Sequence, residues 1–232
     1  MPADDGPRQT TFGMAEDEQG AGAGRSVSEV LVVTAGMVVF ALFSHRGLPW
    51  VLVGLVGLLV AAITIGESLR RGSNEAALLG LAGFSWSAVL FSLGGCALGV
   101  GAAVLHRREL GLPLLPAGGL EAFAVIACLI GVTEELVYRG WMQGRLQSLG
   151  WPAAVIMAAA AHAAYKSALF AWPTAPSEID CVAMAVRTFL GGVVLGLLRK
   201  FSGSVVPSLV AHAVFDLMVY GAVVRAPWWV WD

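Results

Sequence analysis

Residues 131–143 read GVTEELVYRGWMQ and place two adjacent glutamates and an arginine within a long apolar segment. A charged side chain near the centre of a bilayer is costly, by about 3 kcal/mol on insertion scales. Such residues normally face the interior of a helix bundle or a water-filled cavity, and they usually serve a function. This stretch therefore predicts a polar site inside a membrane-spanning bundle.

The composition is typical of a membrane protein. Of the 232 residues, 57% are hydrophobic and 13% are charged, whereas about 25% of the residues in soluble domains are charged. The formal net charge is −2, and no large cluster of lysine and arginine occurs. Nucleic acid is therefore not expected as a partner. The expected partner is the lipid bilayer.

The chain contains about seven apolar runs of roughly the length that a membrane-spanning helix needs. They predict an all-α fold, a polytopic transmembrane helical bundle of about seven membrane helices. Residues 1–26 are polar, acidic and rich in glycine, which predicts a disordered N-terminal tail ahead of a bundle over residues 27–232. The runs cover residues 28–43, 49–65, 76–105, 120–149, 151–170, 179–198 and 204–224.

Several ionisable residues fall near the centres of the later runs. Residues four apart share one face of a helix, so Glu135 with Arg139 and His212 with Asp216 can each form a local pair. Glu134 points about 100° away from Glu135, so it can face a cavity unpaired while Glu135 neutralises the arginine. The complete set is Glu134, Glu135, Arg139, His162, Arg187, His212 and Asp216.

Glu134, His162 and His212 lie close to the middle of their own runs, so ordinary helix tilts would place them at similar depth. A carboxylate and two imidazoles around one water can remove its proton and stabilise the charge that develops on an attacked carbonyl group. The same three residues suit a zinc ion equally well. A buried polar network that only holds the helices in register is the structural alternative.

Two further cations have more ordinary interpretations. Lys166 lies one turn beyond His162, where it could attract a substrate carboxylate, although extension of its side chain to the membrane interface is the favoured prediction. Arg187 is expected to pair with a carboxylate such as Asp180, seven residues earlier on the same helix face.

The sequence EELVYRG, the central histidine of the next run and HAVFD in the last run together resemble the CPBP family of intramembrane proteases. This family includes the CAAX prenyl endopeptidases of the Rce1 type and the bacterial Abi-type proteins. Its pattern is EExxxR, FxxxH and HxxxN or HxxxD on separate membrane helices. The resemblance covers residues 80–224, and Ala158 stands where the second motif has phenylalanine.

The resemblance implies an intramembrane endopeptidase that cleaves near the membrane-embedded or lipid-anchored C-terminal end of a protein substrate. By analogy, Glu134 and His162 activate a water, and His212 with Asp216 stabilises the oxyanion. Glu135 and Arg139 support the site. No cofactor is expected; the alternative is zinc, held by Glu134, His162 and His212.

The expected location is the plasma or inner membrane of a bacterium, as an integral membrane protein. The alternative function is a non-enzymatic membrane protein, either a proton-coupled carrier or an immunity or scaffold protein with a buried network of glutamate and histidine.

Overall fold

The computed structural model describes residues 11–72, 74–83, 85–116, 120–171 and 180–223, with side chains from residue 22 onward. Within these ranges the chain forms helices and no strand, which confirms the predicted all-α fold. The α-helices are α1 (Thr11–Phe43), α2 (Leu48–Arg71), α3 (Glu75–Leu79), α4 (Trp86–Glu109), α5 (Ala122–Glu135), α6 (Gln143–Arg145), α7 (Trp151–Phe170), α8 (Cys181–Ser202) and α9 (Val206–Tyr220).

Five helices among the described residues are long and apolar enough to cross a membrane, judged by length and composition. Their outer faces are apolar, and Leu59 of α2, Leu93 of α4 and Leu190 of α8 are each more than half exposed. An outer surface with so many exposed large side chains is suited to lipid rather than water. The five are Gly22–Phe43, Leu48–Arg71, Trp86–Glu109, Trp151–Phe170 and Cys181–Ser202.

Two predicted boundaries differ from the structure. Helix α1 begins at Thr11, so residues 11–26 of the expected disordered tail are helical here; residues 14–18 consist mainly of Met, Ala and Glu, which favour helix. Residues 1–10 lie outside the described part of the chain. The run over 76–105 is divided, because α3 ends at Gly80 in the left-handed conformation and α4 starts anew with Ser85 as its N-cap.

Glycines let the helices approach closely, as the small-residue spacing in the sequence indicates. A Cβ atom on Gly95 or Gly99 of α4 would collide with the backbone of α9, and one on Gly196 of α8 would collide with Val155 of α7. Helix α4 therefore packs on α9, and α8 packs on α7. Helix α9 also packs against α5, which carries the glutamates.

Helix α9 is only 15 residues long, and Arg107 of α4 binds its C-terminal end. Nη1 of Arg107 donates to the carbonyl oxygens of Met218 and Val219 at 2.9 and 3.2 Å, and Nε donates to Pro113 at 2.6 Å. Carbonyl groups in the last turn of a helix have no partner within the helix, and lipid cannot supply one. Arg107 thus allows a short helix to end inside the bundle.

Arg187 does not pair with Asp180, contrary to the prediction. Asp180 is the N-cap of α8, where its carboxylate accepts hydrogen bonds from the backbone amides of Val182 and Ala183. Arg187 instead forms an ion pair with Glu109, at the end of α4, with 3.0 Å between Nη1 and Oε2. The carboxylate of Asp180 is not paired with Arg187 because it caps the backbone amides at the start of α8.

The contact of α4 with α9 yields a prediction. A valine at Gly99 would collide with the backbone carbonyl of Ala211, so Gly99→Val should lower the free energy of unfolding by about 1–3 kcal/mol. Gly101→Val on the same helix is the matched control, since a Cβ atom there meets nothing within 4 Å. Apparent melting temperatures in detergent measure both; equal melting of the two variants would contradict the close contact.

Candidate active site

Three helices bring the predicted site residues together. Glu134 is near the end of α5, His162 lies in the middle of α7, and His212 lies in the middle of α9. Nε2 of His162 lies 3.2 Å from Oε2 of Glu134, and Nε2 of His212 lies 3.9 Å from the same oxygen. Glu134 and His162 are each 4% exposed. The predicted convergence of one carboxylate and two imidazoles is therefore present in the structure.

Glu135 and Arg139 form the predicted ion pair, with 2.9 Å between Oε1 and Nη1. Both side chains are almost completely buried. Burial of either charge alone would be strongly unfavourable, so each residue depends on the other. Gly192 of α8 provides the space for the guanidinium, since a Cβ atom there would lie 2.6 Å from Nη2.

This ion pair also binds both histidines through their Nδ1 atoms. Oε1 of Glu135 lies 2.9 Å from Nδ1 of His212, and Nη1 of Arg139 lies 2.8 Å from Nδ1 of His162. Each imidazole is thereby turned so that Nε2 faces Glu134. The spacing of the sequence did not reveal these contacts, because they cross between helices.

The partners of the two Nδ1 atoms determine where the ring protons are. Arginine has donors only, so Nδ1 of His162 accepts, and the proton of the neutral ring is on Nε2, which donates to Glu134. Nδ1 of His212 faces the carboxylate of Glu135 and therefore donates to it. The two histidines have different hydrogen-bonding roles although they flank the same carboxylate.

Asp216 and His212 lie within ion-pair distance of each other, as their spacing predicts, but no hydrogen bond joins them. Oδ2 of Asp216 is 3.8 Å from Nε2 of His212, whereas the hydrogen bond of His212 is made by Nδ1 to Glu135. Gly131 on α5 leaves the space for both side chains, because a Cβ atom there would collide with them. Asp216 is thus placed to influence the charge of His212 without a direct hydrogen bond.

Lys166 does not extend away from the site, contrary to the favoured prediction. Its Nζ lies 2.6 Å from Oε1 of Glu134. The spacing of the sequence indicated that Glu134 could face a cavity unpaired, but in the structure Lys166 pairs with it. The position of Lys166, four residues after His162, was the available signal, since this spacing puts both side chains on the same helix face.

The helix that carries the glutamates changes its geometry immediately after them. Leu136–Met142 form a π-helix, which is followed by α6 and by the 3₁₀ turn Leu146–Leu149. Within the π-helix, the ring of Tyr138 stacks on His162 with 4.4 Å between the ring centroids. Single π-helical turns inside α-helices occur frequently at functional sites.

An apolar groove of about 310 Å³ has Glu134 among its lining residues. It is lined by residues of α1, α2, α5, α7 and the π-helix, among them Phe40, Leu58, Ile130, Val137 and Tyr165. A cavity of about 490 Å³ lies among Arg25, Arg71 and Arg145 but is not lined by any residue of the site. Of these two cavities, only the smaller, apolar groove has a residue of the site, Glu134, in its lining.

A zinc ion would need the lone pair of Nε2 from each histidine, with the proton on Nδ1 donated to an acceptor. His212 meets this condition, because its Nδ1 donates to Glu135. His162 does not, because its Nδ1 faces the donor Nη1 of Arg139. The described residues also contain no group of three or more His, Cys, Asp or Glu side chains arranged to hold a metal ion.

Comparison with known proteins agrees with the resemblance seen in the motifs. Residues 116–218 match the model of the family described as type II CAAX prenyl endopeptidase, Rce1-like. This segment contains all the site residues named above. Neither the curated proteins nor the solved structures gave a significant match. The family match and the apolar helices support an integral membrane protein and, in general, an intramembrane endopeptidase with a protein substrate.

The buried ion pair gives a second prediction. Arg139→Gln would leave Glu135 buried without its cation, so the free energy of unfolding should fall by about 3–5 kcal/mol. Arg70→Gln is the control, because Arg70 forms a solvent-exposed ion pair with Glu67, and such pairs contribute little to stability. The measurement is thermal unfolding in detergent, and an Arg139→Gln variant as stable as the control would contradict the role of the pair.

Proposed function

We propose, from the match of residues 116–218 to an endopeptidase family, that the chain hydrolyses a peptide bond near the membrane-embedded or lipid-anchored C-terminal end of a protein substrate. The observation that carries the proposal is the placement of both Nε2 atoms, of His162 and His212, against the buried carboxylate of Glu134. We place this activity in the cell membrane of a bacterium.

Glu134 is the general base of the proposed reaction. It accepts a proton from a water molecule, whose oxygen attacks the carbonyl carbon of the scissile bond. His162 donates from Nε2 to the carboxylate and orients it. The proton on Glu134 then passes to the leaving amine as the C–N bond breaks, so that no external acid or base is consumed.

His212 stabilises the oxyanion of the tetrahedral intermediate. Its Nδ1 is held by Glu135, and when Nε2 also carries a proton the ring is a cation that can donate to the developing negative charge. The nearby carboxylate of Asp216, 3.8 Å from Nε2, favours this charged form by simple attraction. Asp216 thus acts on the oxyanion through His212 and not by direct contact.

The proposed mechanism needs no metal ion. Nη1 of Arg139 donates a hydrogen bond to Nδ1 of His162, so the single proton of the neutral ring is on Nε2. A protonated nitrogen has no free lone pair and cannot bind zinc. Proton removal from water is then the task of Glu134 alone.

The apolar groove suits the proposed substrate class. It is lined almost entirely by aliphatic and aromatic side chains, and Glu134 is among its lining residues. An apolar transmembrane end or an attached lipid of the substrate could occupy it while the adjacent peptide bond reaches the carboxylate. Processing of prenylated CAAX ends and removal of C-terminal sorting anchors are both compatible with this geometry.

The third prediction concerns the catalytic residues. Glu134→Gln, His162→Ala and His212→Ala should each reduce cleavage of a candidate substrate in membranes by at least about 10²-fold, and Asp216→Asn by less, since it acts through His212. Substrate cleavage is followed by the mass of the released C-terminal fragment. His106→Ala and Glu109→Gln, which lie outside the cluster, are the matched controls. Cleavage at the wild-type rate by all three main variants would favour the non-enzymatic alternative.

The fourth prediction concerns the metal. The purified active protein should contain far less than one zinc per chain, and a zinc chelator should leave its cleavage rate unchanged, because His162 lacks a free Nε2 lone pair. Elemental analysis and cleavage assays on the same sample provide the measurement. Stoichiometric zinc that is lost together with activity, and restored with it, would overturn the metal-free mechanism.

A further inference from the structure

The two oxygens of the Glu134 carboxylate have different partners. Oε1 lies 2.6 Å from Nζ of Lys166, and Oε2 lies 3.2 Å from Nε2 of His162. Nε2 of His212 is also on the side of Oε2. The carboxylate is therefore held at one oxygen by a cation and faces both imidazoles with the other.

Glu134 needs a cation of its own. Its side chain is 5% exposed, and a buried carboxylate without an opposite charge is strongly unfavourable. The guanidinium of Arg139 is bound to Glu135 and to His162, and His162 is neutral when it accepts that hydrogen bond. His212, whose Nε2 lies 3.9 Å from Oε2 of Glu134, is a cation only when that nitrogen is protonated, whereas lysine carries its charge throughout. Within the described part of the chain, Lys166 is the one lysine or arginine that lies within 4 Å of Glu134.

The position of Lys166 fits this task. Its side chain is 22% exposed, so it enters the site from the edge and keeps most of its surface covered. His162 and Lys166 lie four residues apart on α7, and both therefore reach the same carboxylate from one helix face. Two contacts from a single rigid helix fix the orientation of the carboxylate plane.

We infer that Lys166 is a positioning residue, which keeps Glu134 charged and binds its Oε1, so that Oε2, which also accepts from Nε2 of His162, is the oxygen that takes the proton from water. This inference rests on the proposed function for its catalytic part, whereas the ion pair itself can be tested without a substrate.

The catalytic part is tested with Lys166→Met and Lys166→Arg. The methionine variant keeps the length of the side chain but removes its charge, and its kcat should fall by about 10²-fold with little change in KM, since Lys166 touches Glu134 and not the substrate. The arginine variant should recover a large part of the loss. Lys200→Met is the matched control, because the chain has two lysines and Lys200 is exposed near the end of α8.

The ion pair is tested by melting temperatures in detergent for the wild type, Lys166→Met, Glu134→Gln and the double variant. Lys166→Met should lower the melting temperature in the wild-type background, where it leaves a charged Glu134 unpaired, and much less in the Glu134→Gln background. Equal shifts in both backgrounds, together with wild-type kcat for Lys166→Met, would overturn the inference.

The two proposals fail in different ways. A Lys166→Met variant with wild-type kcat, next to an inactive Glu134→Gln variant, would leave the protease intact and remove only the role of Lys166. Wild-type protein that cleaves no candidate substrate would count against the proposed function, and the melting temperatures would still decide whether Lys166 stabilises Glu134.

Discussion

The ion pair of Glu135 and Arg139 is the interaction on which the rest of the site depends. Two charges are almost completely buried in an apolar bundle, and each is tolerated because the other is 2.9 Å away. The same two atoms, Nη1 of Arg139 and Oε1 of Glu135, also bind Nδ1 of His162 and Nδ1 of His212, which lie on different helices. One local interaction on one helix thereby fixes the rotation of two imidazole rings. The ion pair thus has an organising role beyond the tolerance of its own charges.

Much of the site could be predicted from the sequence, because spacing along a helix reports which side chains share a face. Spacing predicts the pair of Glu135 with Arg139 and the different direction of Glu134. Similar depth in the membrane predicts that Glu134 meets His162 and His212. Contacts between helices do not, because they depend on how each helix is rotated against its neighbours. The hydrogen bond of His212 to Glu135, instead of to Asp216, is of this kind.

The incorrect expectations have a common physical cause. Lys166 was assigned to the membrane interface and Arg187 to Asp180, in each case as if the side chain had only its own helix and the solvent to choose from. In the folded chain Glu134 attracts Lys166 inward, and the backbone amides at the start of α8 already occupy Asp180. Which ion pair a charged side chain forms depends on all the groups that surround it in the fold, and a single sequence does not show which groups these are.

The apolar groove is lined by residues of α1, α2, α5, α7 and the π-helix, within a bundle whose outer faces are apolar. A membrane-anchored substrate of the proposed kind would approach Glu134 within the plane of the membrane, so its relevant concentration is the number of molecules per lipid and not per volume of water. Addition of detergent or lipid at constant protein and substrate would dilute both partners in that plane. An apparent rate measured for such a protein is therefore a property of the bilayer composition as well as of the side chains around Glu134.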